Sequence, residues 1–188
     1  VNTPANTLSF ANLKLTYVPK ADYFLTPTNW KAYDYASGAG TVGAAATANT
    51  SITFTKSTAT KGSSTVDTIY TRARGAYVTI PLQVTEKNTE YTFTFDYYFA
   101  YDSDDSTKDV LTFGGIMAAD GSAVDPLTDD NANYLEGTRF KGTTTAENKV
   151  WKSKSFTFNS GEHTEILFVA RVNTPANTLS FANLKLTY

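Results

Sequence analysis

Alternation between apolar and polar residues is the dominant pattern along this chain of 188 residues. Between residues 90 and 100, Tyr91, Phe93, Phe95, Tyr97 and Phe99 share one parity, whereas Thr92, Thr94, Asp96 and Tyr98 share the other. Side chains of a β-strand alternate between two faces, and aromatic and β-branched residues fit the pleat well. Similar alternation predicts further strands at residues 51–55, 76–82, 110–113, 152–158 and 165–170.

Turn-forming residues separate these predicted strands. They lie at residues 37–40, 61–64, 87–88, 114–115 and 159–161. No stretch has the 3.6-residue apolar period of an amphipathic helix. Residues 118–149 are rich in Asp, Asn, Gly and Thr and are weakly periodic, which predicts a long loop that is functional or mobile. Many short strands separated by such turns predict an all-β sandwich or barrel.

The first seventeen residues are identical to the last seventeen. Residues 1–17 recur letter for letter as residues 172–188, at an offset of 171 residues. Chance does not produce such an identity, and long divergence would have blurred it. We therefore expect a tandem array whose 171-residue period is a whole domain, since solenoid repeats are much shorter. Residues 1–17 would be the terminal strand of a preceding repeat, and residues 18–188 one complete β-sandwich repeat.

The repeated segment has the pattern of a β-strand with one extra residue. Leu179 and Phe181 share one parity, whereas Leu184, Leu186 and Tyr188 share the other, so the parity changes at Ala182-Asn183. An inserted residue that preserves a buried face is a β-bulge. Because a strand of the same sequence can take the place of its twin in another copy, we predict strand exchange through both segments. The residues concerned are Leu8, Phe10, Leu13, Leu15, Tyr17, Leu179, Phe181, Leu184, Leu186 and Tyr188.

Composition and charge narrow the classes of partner. The absence of cysteine excludes disulfides, thiolate metal sites and a cysteine nucleophile. Lys and Arg are scattered and the formal net charge is −2, which argues against a nucleic-acid partner. No apolar run approaches the ~20 residues of a membrane-spanning helix. We expect an extracellular protein, secreted or at the cell surface, whose partners are other copies of the same repeat, or a polysaccharide or host glycan.

Several segments in order resemble a known group of domains. They are Asn29-Trp30-Lys31, residues 37–42, 75–82, 89–96 and 151–158, and the closing residues 179–186. Over nearly the whole repeat this order is similar to the galactose-binding-like jelly roll of many bacterial carbohydrate-binding modules. The resemblance implies an antiparallel jelly-roll β-sandwich and carbohydrate binding. Such modules often close on an Asp-Asn pair whose carboxylate helps to hold a structural calcium ion. This chain has Ala182-Asn183 there, which puts that calcium in doubt.

Aromatic residues are the candidates for carbohydrate binding, because sugar rings stack on aromatic side chains. Most aromatic residues of a sandwich belong to its core, however, and supply much of its buried area. Tyr98 lies on the opposite parity from the aromatic row of its strand and is the best candidate for an exposed platform. Tyr101 and Trp151 complete the predicted stacking set. Other aromatic residues considered are Trp30, which we expect to be structural, Tyr33, Tyr35, Tyr97 and Tyr134.

An acidic segment is the candidate for calcium binding. Asp102, Asp104, Asp105 and Asp109 place four carboxylates within eight residues. Calcium is bound by six to eight oxygen atoms, and such a loop can supply several. The segment lacks the Gly and Glu positions of an EF-hand loop. A solvated acidic turn is the alternative, and the sequence favours it.

Catalysis has little support in the sequence, and we predict a protein that is not an enzyme. His163 is the only histidine, and it follows Asn159-Ser160-Gly161-Glu162 in what we interpret as a hairpin turn. No second histidine is present for a zinc site, and no nucleophile motif occurs. Two functions remain open: a structural or adhesive repeat of a surface protein or fibre, joined through the duplicated strand, and a carbohydrate-binding module that gains multivalency from repetition. No cofactor is predicted beyond the possible calcium.

Overall fold

The computed structural model describes residues 21–35, 40–73, 75–101, 111–126, 133–141, 149–172 and 177–188. These residues form ten strands, one α-helical turn and one 3-10 turn. The helical turn is α1 (Ala21–Phe24), and the 3-10 turn spans Pro27–Asn29. The strands are β1 (Lys31–Asp34), β2 (Phe54–Lys61), β3 (Ser64–Ala73), β4 (Ala76–Leu82), β5 (Glu90–Tyr101), β6 (Leu111–Ala118), β7 (Phe140–Lys141), β8 (Lys152–Asn159), β9 (Ile166–Val172) and β10 (Asn177–Thr187).

The strands form two five-stranded antiparallel sheets that pack face to face. The first sheet has the order β1-β4-β9-β6-β7, and the second has the order β2-β3-β10-β5-β8. The pairs β5–β8 and β4–β9 join strands far apart in sequence, as the crossing connections of a jelly roll require. The chain is therefore an antiparallel jelly-roll β-sandwich, as the sequence predicts.

The core between the sheets is largely aromatic. The row that β5 was predicted to bury is buried, since Tyr91, Phe93, Phe95, Tyr97 and Phe99 are each at most 4% exposed. The Phe95 ring lies 4.7 Å from that of Phe168 on β9, so the row meets the opposite sheet. Trp30 is structural, as expected: its ring stacks between those of Phe54 and Phe181, at 5.6 Å and 5.1 Å.

The sequence locates the β2–β3 turn but misplaces the strands around it. Lys61 pairs with Ser64 and leaves Gly62 and Ser63 as a two-residue turn, within the predicted turn at residues 61–64. The predicted strand at residues 51–55 is wrong in its bounds, because β2 begins only at Phe54. The strands β1 and β3 are not predicted, since their polar residues hide the alternation. Only the structure shows which strands are buried on both faces.

Gly114 and Gly115 do not form a turn, contrary to the prediction, and instead lie inside β6. A Cβ atom on Gly114 would lie 2.6 Å from the Phe140 ring and 2.6 Å from the Val169 carbonyl oxygen. A Cβ atom on Gly115 would lie 2.6 Å from the Tyr134 ring. The two glycines are therefore required by the close approach of aromatic rings to both faces of this strand.

The predicted bulge in the closing strand is confirmed. The pairing of β10 with β5 shifts between Ala182 and Lys185, and Asn183 has a φ of 52°. The bulge keeps Leu179, Phe181, Leu184 and Leu186 on the buried side, each at most 7% exposed. β10 lies in the middle of the second sheet, with β3 and β5 as its neighbours.

The segment around His163 is not a hairpin turn. It joins β8 of the second sheet to β9 of the first, so the chain crosses between sheets there. Part of the predicted long loop, residues 118–149, also has regular structure, since β7 pairs with β6 and Tyr134 forms a bridge with Met117. Among the described residues, no helix has the length and apolar character needed to cross a membrane.

Candidate functional site

The face of the second sheet that points away from the core carries the candidate site. Its residues occupy the strand positions that alternate with the buried aromatic row. We call it the outer face of the second sheet. Its central residues are Thr94, Asp96 and Tyr98 of β5, Ser180, Ala182 and Asn183 of β10, and Ser153 and Ser155 of β8.

The tip of the β2–β3 hairpin bends over this outer face. β2 and β5 are separated by β3 and β10, which corresponds to roughly 14 Å across a flat sheet. Nevertheless, the Lys61 ammonium lies 2.5 Å from a carboxylate oxygen of Asp96. The hairpin also explains why Thr68, Ser180 and Ala182, which point outward, are at most 8% exposed. A polar sheet face is thus partly enclosed instead of open to water.

Asp96 is the centre of a hydrogen-bonded cluster on this face. Its carboxylate accepts hydrogen bonds from Lys61, from the Ser153 hydroxyl and from the Asn183 amide, the last at 2.6 Å. Burial alone would raise the pKa of Asp96, but these three donors outweigh it, and the pKa lies below its usual value. The carboxylate is therefore ionised at neutral pH, and the cluster fastens together β2, β5, β8 and β10.

Two aromatic rings lie beside this cluster. The Tyr98 and Trp151 rings have their centroids 5.3 Å apart and are inclined by 40°. The Trp151 indole N–H donates a hydrogen bond of 2.9 Å to the carbonyl oxygen of Thr60 at the hairpin tip. Both residues are only half-buried. Tyr98 comes from β5, and Trp151 is the residue before the edge strand β8, so the pair presents a partly exposed aromatic surface of fixed geometry.

A shallow recess lies next to the aromatic pair. Its rim includes Thr94, Asp96, Ser153, Ser155 and Asn183. Hydroxyl, carboxylate and amide groups therefore line a concave surface on the same face as Tyr98, and Asp96 is two residues from Tyr98 along β5. Such a combination of aromatic surface with a few converging polar groups is typical of small-molecule binding sites.

The predicted aromatic set is partly brought together. The structure joins Tyr98 to Trp151, whereas the side chain of Tyr101, the last residue of β5, lies outside the described part. Trp30, Tyr33, Tyr97 and Tyr134 are at most 8% exposed and so present no stacking surface. Tyr35 belongs to the other side of the molecule, where Arg171 lies 3.5 Å above its ring.

The other predicted site residues lie partly outside the described ranges. This applies to Asp102, Asp104, Asp105 and Asp109, for which calcium binding stays a prediction, and to Leu8, Phe10, Leu13, Leu15 and Tyr17. Their counterparts Leu179, Phe181, Leu184 and Leu186 form the core side of β10, and Tyr188 packs at its end, 5.2 Å from the ring of Tyr91.

No metal-binding group is evident in the described ranges, where no three His, Asp or Glu side chains converge. The position at which the resembled modules carry Asp-Asn holds Ala182-Asn183, and the Asn183 amide donates to Asp96. His163 contacts Asp120 through its Nδ1 atom at 2.5 Å, on an exposed part of the surface. This pair lies on the connection between the two sheets, from β8 to β9.

Sequence analysis missed the Asp96 cluster and the role of Lys61. One signal was available: Asp96 is the only charged residue in the interior of the predicted strand at residues 90–100. A lone carboxylate among aromatic and β-branched residues needs partners when it is buried. The identity of those partners depends on the bend of the hairpin, which no local pattern encodes.

Among known proteins, only solved structures with a similar fold match this chain. No protein-family model matches it, and no curated protein matches it. Solved structures that resemble it include a tailspike domain of bacteriophage CBA120, with 10% identity, a TM-score of 0.49 and coverage of 89% of this chain and 20% of that chain. The xylan-binding CBM22-1 domain of Paenibacillus barcinonensis Xyn10C has 12% identity and a TM-score of 0.47, with coverage of 75% and 83%.

A third similar structure comprises the CBM22-1 and GH10 modules of a Clostridium thermocellum xylanase, with 8% identity and a TM-score of 0.47. This chain covers 26% of that one, and it spans only about a fifth of the tailspike chain. Carbohydrate-binding modules of the jelly-roll type are thus among the structural neighbours. At such low identity and TM-scores below 0.5, the likeness assigns no activity to the chain.

Proposed function

We propose that this protein is a carbohydrate-binding module that takes a polysaccharide on the outer face of the second sheet. The observation that carries the proposal is the pair of half-exposed rings, Tyr98 and Trp151, 5.3 Å apart beside a polar recess. A sandwich needs aromatic residues between its sheets, where Phe95 and its neighbours already lie. Rings outside that core need another explanation.

The chemistry of the aromatic pair and of the polar recess suits a sugar. The C–H groups on the face of a pyranose ring pack against an aromatic ring, and its hydroxyl groups form hydrogen bonds at the edge of the same ring. The indole and phenol rings supply the first kind of contact. Asp96, Ser153 and Ser155 offer acceptors and hydroxyl groups for the second, because they lie on the same face. Neither contact requires a metal ion or a reacting group.

Binding would be measured by calorimetry against a panel of soluble polysaccharides that includes xylan, mixed-linkage glucan and galactan. For the polysaccharide that binds, Trp151→Ala and Tyr98→Ala each weaken the affinity by about 5- to 30-fold, since truncation of a central aromatic contact costs about 1–2 kcal/mol. The matched control is Val150→Ala. Val150 is 46% exposed and adjacent to Trp151, but its aliphatic side chain offers no ring for stacking, so its truncation leaves the affinity unchanged.

Trp151 also donates a hydrogen bond to the hairpin, so Trp151→Phe separates its two roles. This variant keeps an aromatic surface and removes the N–H donor. It retains most of the affinity if stacking is what matters. Equal loss in Trp151→Phe and Trp151→Ala, with unchanged melting temperatures, would contradict a stacking role. Failure of the protein to bind any polysaccharide of the panel would contradict the proposed function itself.

A non-catalytic, extracellular role is part of this proposal. The groups on the outer face are suited to holding a sugar, and the hydrogen bond from the Ser153 hydroxyl to Asp96 belongs to the cluster that joins the strands. Repetition of such a module along a polypeptide would raise the effective concentration of sites and convert weak single contacts into firm attachment.

We also propose a second function, a structural or adhesive repeat joined through the duplicated strand. The identity of residues 1–17 with residues 172–188 supports it, because the latter include a central strand of the sheet. Light scattering of the full chain with and without residues 1–17 tests it. Self-association that disappears with these residues supports joining through the strand, and a strictly monomeric full chain contradicts it.

A further inference from the structure

Because β10 lies in the centre of the second sheet, the domain requires a strand at that position. β10 pairs with β3 along one edge and with β5 along the other, and we call the space between these two neighbours the β10 slot. Its side chains fill the core: Leu179 is 0% exposed and Phe181 is 2% exposed. The Phe181 ring stacks on that of Trp30 at 5.1 Å. Without a strand in this slot, the second sheet would be divided in two.

Residues 1–17 have every side chain that the β10 slot requires. With the offset of 171 residues, Leu8 corresponds to Leu179, Phe10 to Phe181 and Asn12 to the bulged Asn183. Residues 1–17 lie outside the described part, so we infer their fit to the slot from their sequence alone. Since the two segments are identical, every contact that β10 makes with β3 and β5 is available to either.

The described chain begins beside the slot. The chain continues through residues 18–20 to α1, whose Phe24 ring lies 5.6 Å from that of Phe93, the strand partner of Leu186. Leu25 lines the same surface recess as Leu184. The helical turn therefore packs beside the carboxyl-terminal half of β10. Three residues in extended conformation, with the peptide steps at their ends, span roughly 13 Å, which suits a strand ending near α1.

We propose that residues 1–17 are a second occupant of the β10 slot in their own domain, and that residues 172–188 are released whenever they take it. The exchange leaves the strand contacts unchanged, so the balance between the two occupants is set by the two links to the domain. One link is residues 18–20, and the other is the short segment between β9 and β10. The released strand is then available to the slot of a second copy. This inference does not rest on carbohydrate binding.

Substitutions in the full chain test whether the slot has two occupants. Phe181→Asp places a carboxylate against Trp30 and Phe168, which disables β10 as a core strand. With residues 1–17 as substitute, the variant still unfolds cooperatively, with a melting temperature within about 5 °C of the parent. Phe10→Asp, the matched change in the other copy, has no effect on its own. The double variant Phe10→Asp with Phe181→Asp loses the cooperative transition.

Loss of cooperative unfolding in Phe181→Asp alone, as severe as in the double variant, would overturn the proposal. So would a double variant that remains as stable as Phe181→Asp. Near-ultraviolet circular dichroism serves as the second readout, because the stacking of Trp30 on the strand in the slot gives a signal that secondary structure alone does not.

A disulfide trap identifies which chain supplies the strand. Lys185 pairs directly with Thr94, and its counterpart in the first segment is Lys14. The chain has no cysteine, so Lys14→Cys with Thr94→Cys, placed in the Phe181→Asp background, introduces a single possible bond. Paired residues of antiparallel strands are close enough for a disulfide. The control pair is Lys185→Cys with Thr94→Cys in the parent chain.

Oxidation followed by denaturing, non-reducing electrophoresis then gives the answer. The expected product is a cross-linked monomer in which residues 1–17 fill the slot of their own domain. A cross-linked dimer would overturn the assignment to the same domain, because it shows that a second copy supplies the strand. Absence of any cross-link, while the control pair forms its bond, would overturn occupancy of the slot altogether.

Discussion

The outer faces of the two sheets are covered in opposite ways. On the first sheet, Tyr77 of β4 and Leu167 of β9 point away from the main core but are at most 3% exposed, because loops with Val42, Ala119 and Tyr134 form a second apolar cluster over them. On the second sheet, the β2–β3 hairpin covers the face through the Asp96 cluster and the hydrogen bond from Trp151 to Thr60.

This difference shows how strand alternation alone misleads about exposure. Tyr77 and Tyr98 both occupy outward positions of their strands, yet Tyr77 is fully buried and Tyr98 is half-exposed. An apolar cover excludes water and belongs to the folded core. A cover held by polar contacts leaves concave space at its edges, and there the recess and the aromatic pair lie. The binding that we propose belongs to the second face, and we expect the first face to contribute mainly to stability.

The largest expected effect comes from opening the apolar cover. Tyr134→Ala removes a ring that is 8% exposed and rests against Gly115, and it breaks the hydrogen bond of its hydroxyl group to the Pro126 carbonyl. We expect a loss of about 3–5 kcal/mol in the free energy of unfolding, measured by urea denaturation. Carbohydrate binding by the remaining folded protein stays unchanged.

Gly115→Ala supplies the matched test of the same contact. Its new Cβ atom would meet the Tyr134 ring at 2.6 Å, so it costs about 1–3 kcal/mol alone. In the double variant with Tyr134→Ala, the loss of unfolding free energy is smaller than the sum of the two single losses, because the clashing ring is absent. Strict additivity would contradict the contact between strand and cover.

We expect an intermediate loss of stability from releasing the β2–β3 hairpin, which covers the second face through polar contacts. Asp96→Ala leaves Lys61 and Asn183 without their carboxylate, and the loss of a buried, charged hydrogen-bond acceptor costs about 2–3 kcal/mol. Asp96→Asn keeps the shape and is expected to lose less. Unlike the change at Tyr134, both substitutions alter carbohydrate binding, since Asp96 borders the recess. Unchanged affinity in Asp96→Ala would break the comparison between the two faces.

The pH dependence of the same cluster has a definite sign. The pKa of Asp96 is lower in the folded protein than in the unfolded chain, where it is about 3.9. The stabilisation is therefore fully present above pH ~4 and is lost as the pH falls through the folded pKa. Urea denaturation at a series of acid pH values should show a steeper decrease for the parent than for Asp96→Asn.

Local patterns predict much of the fold because each strand carries its own alternation. The residues of β4, β5, β8 and β10 face the core as their parity predicts, and even the bulge at Ala182-Asn183 follows from the sequence. Gly114 and Gly115 were misassigned because glycine favours turns in general. Here it is required by rings that come from residues 134 and 140, far along the chain.

The candidate site was predictable only in part. Tyr98 stands out by its parity, but its contact with Trp151 joins residues more than fifty positions apart. Lys61 reaches Asp96 because the hairpin bends across two intervening strands. Such contacts depend on sheet curvature, which arises from the packing of the whole domain and leaves no spacing in the sequence.

The smallest expected change in stability concerns the polar contacts at the rim of the apolar cover. Asp120 accepts hydrogen bonds from the backbone N–H groups of Thr164 and Glu165 and contacts His163. Although its partial burial acts to raise the pKa, these donors prevail and lower the pKa of Asp120 to about 2. NMR titration of the carboxyl carbon should give this value directly.

Because the folded pKa is lowered, this contribution is present above pH ~4 and disappears as the pH falls towards 2. The carboxylate is 42% exposed, so solvent screening keeps the contribution to the free energy of unfolding below about 1 kcal/mol. Asp120→Asn should therefore remove a small, acid-sensitive part of the stability and leave the second face unaffected. A pKa of Asp120 near 4 would show that the rim is open in solution, and that the first face depends on its apolar cluster alone.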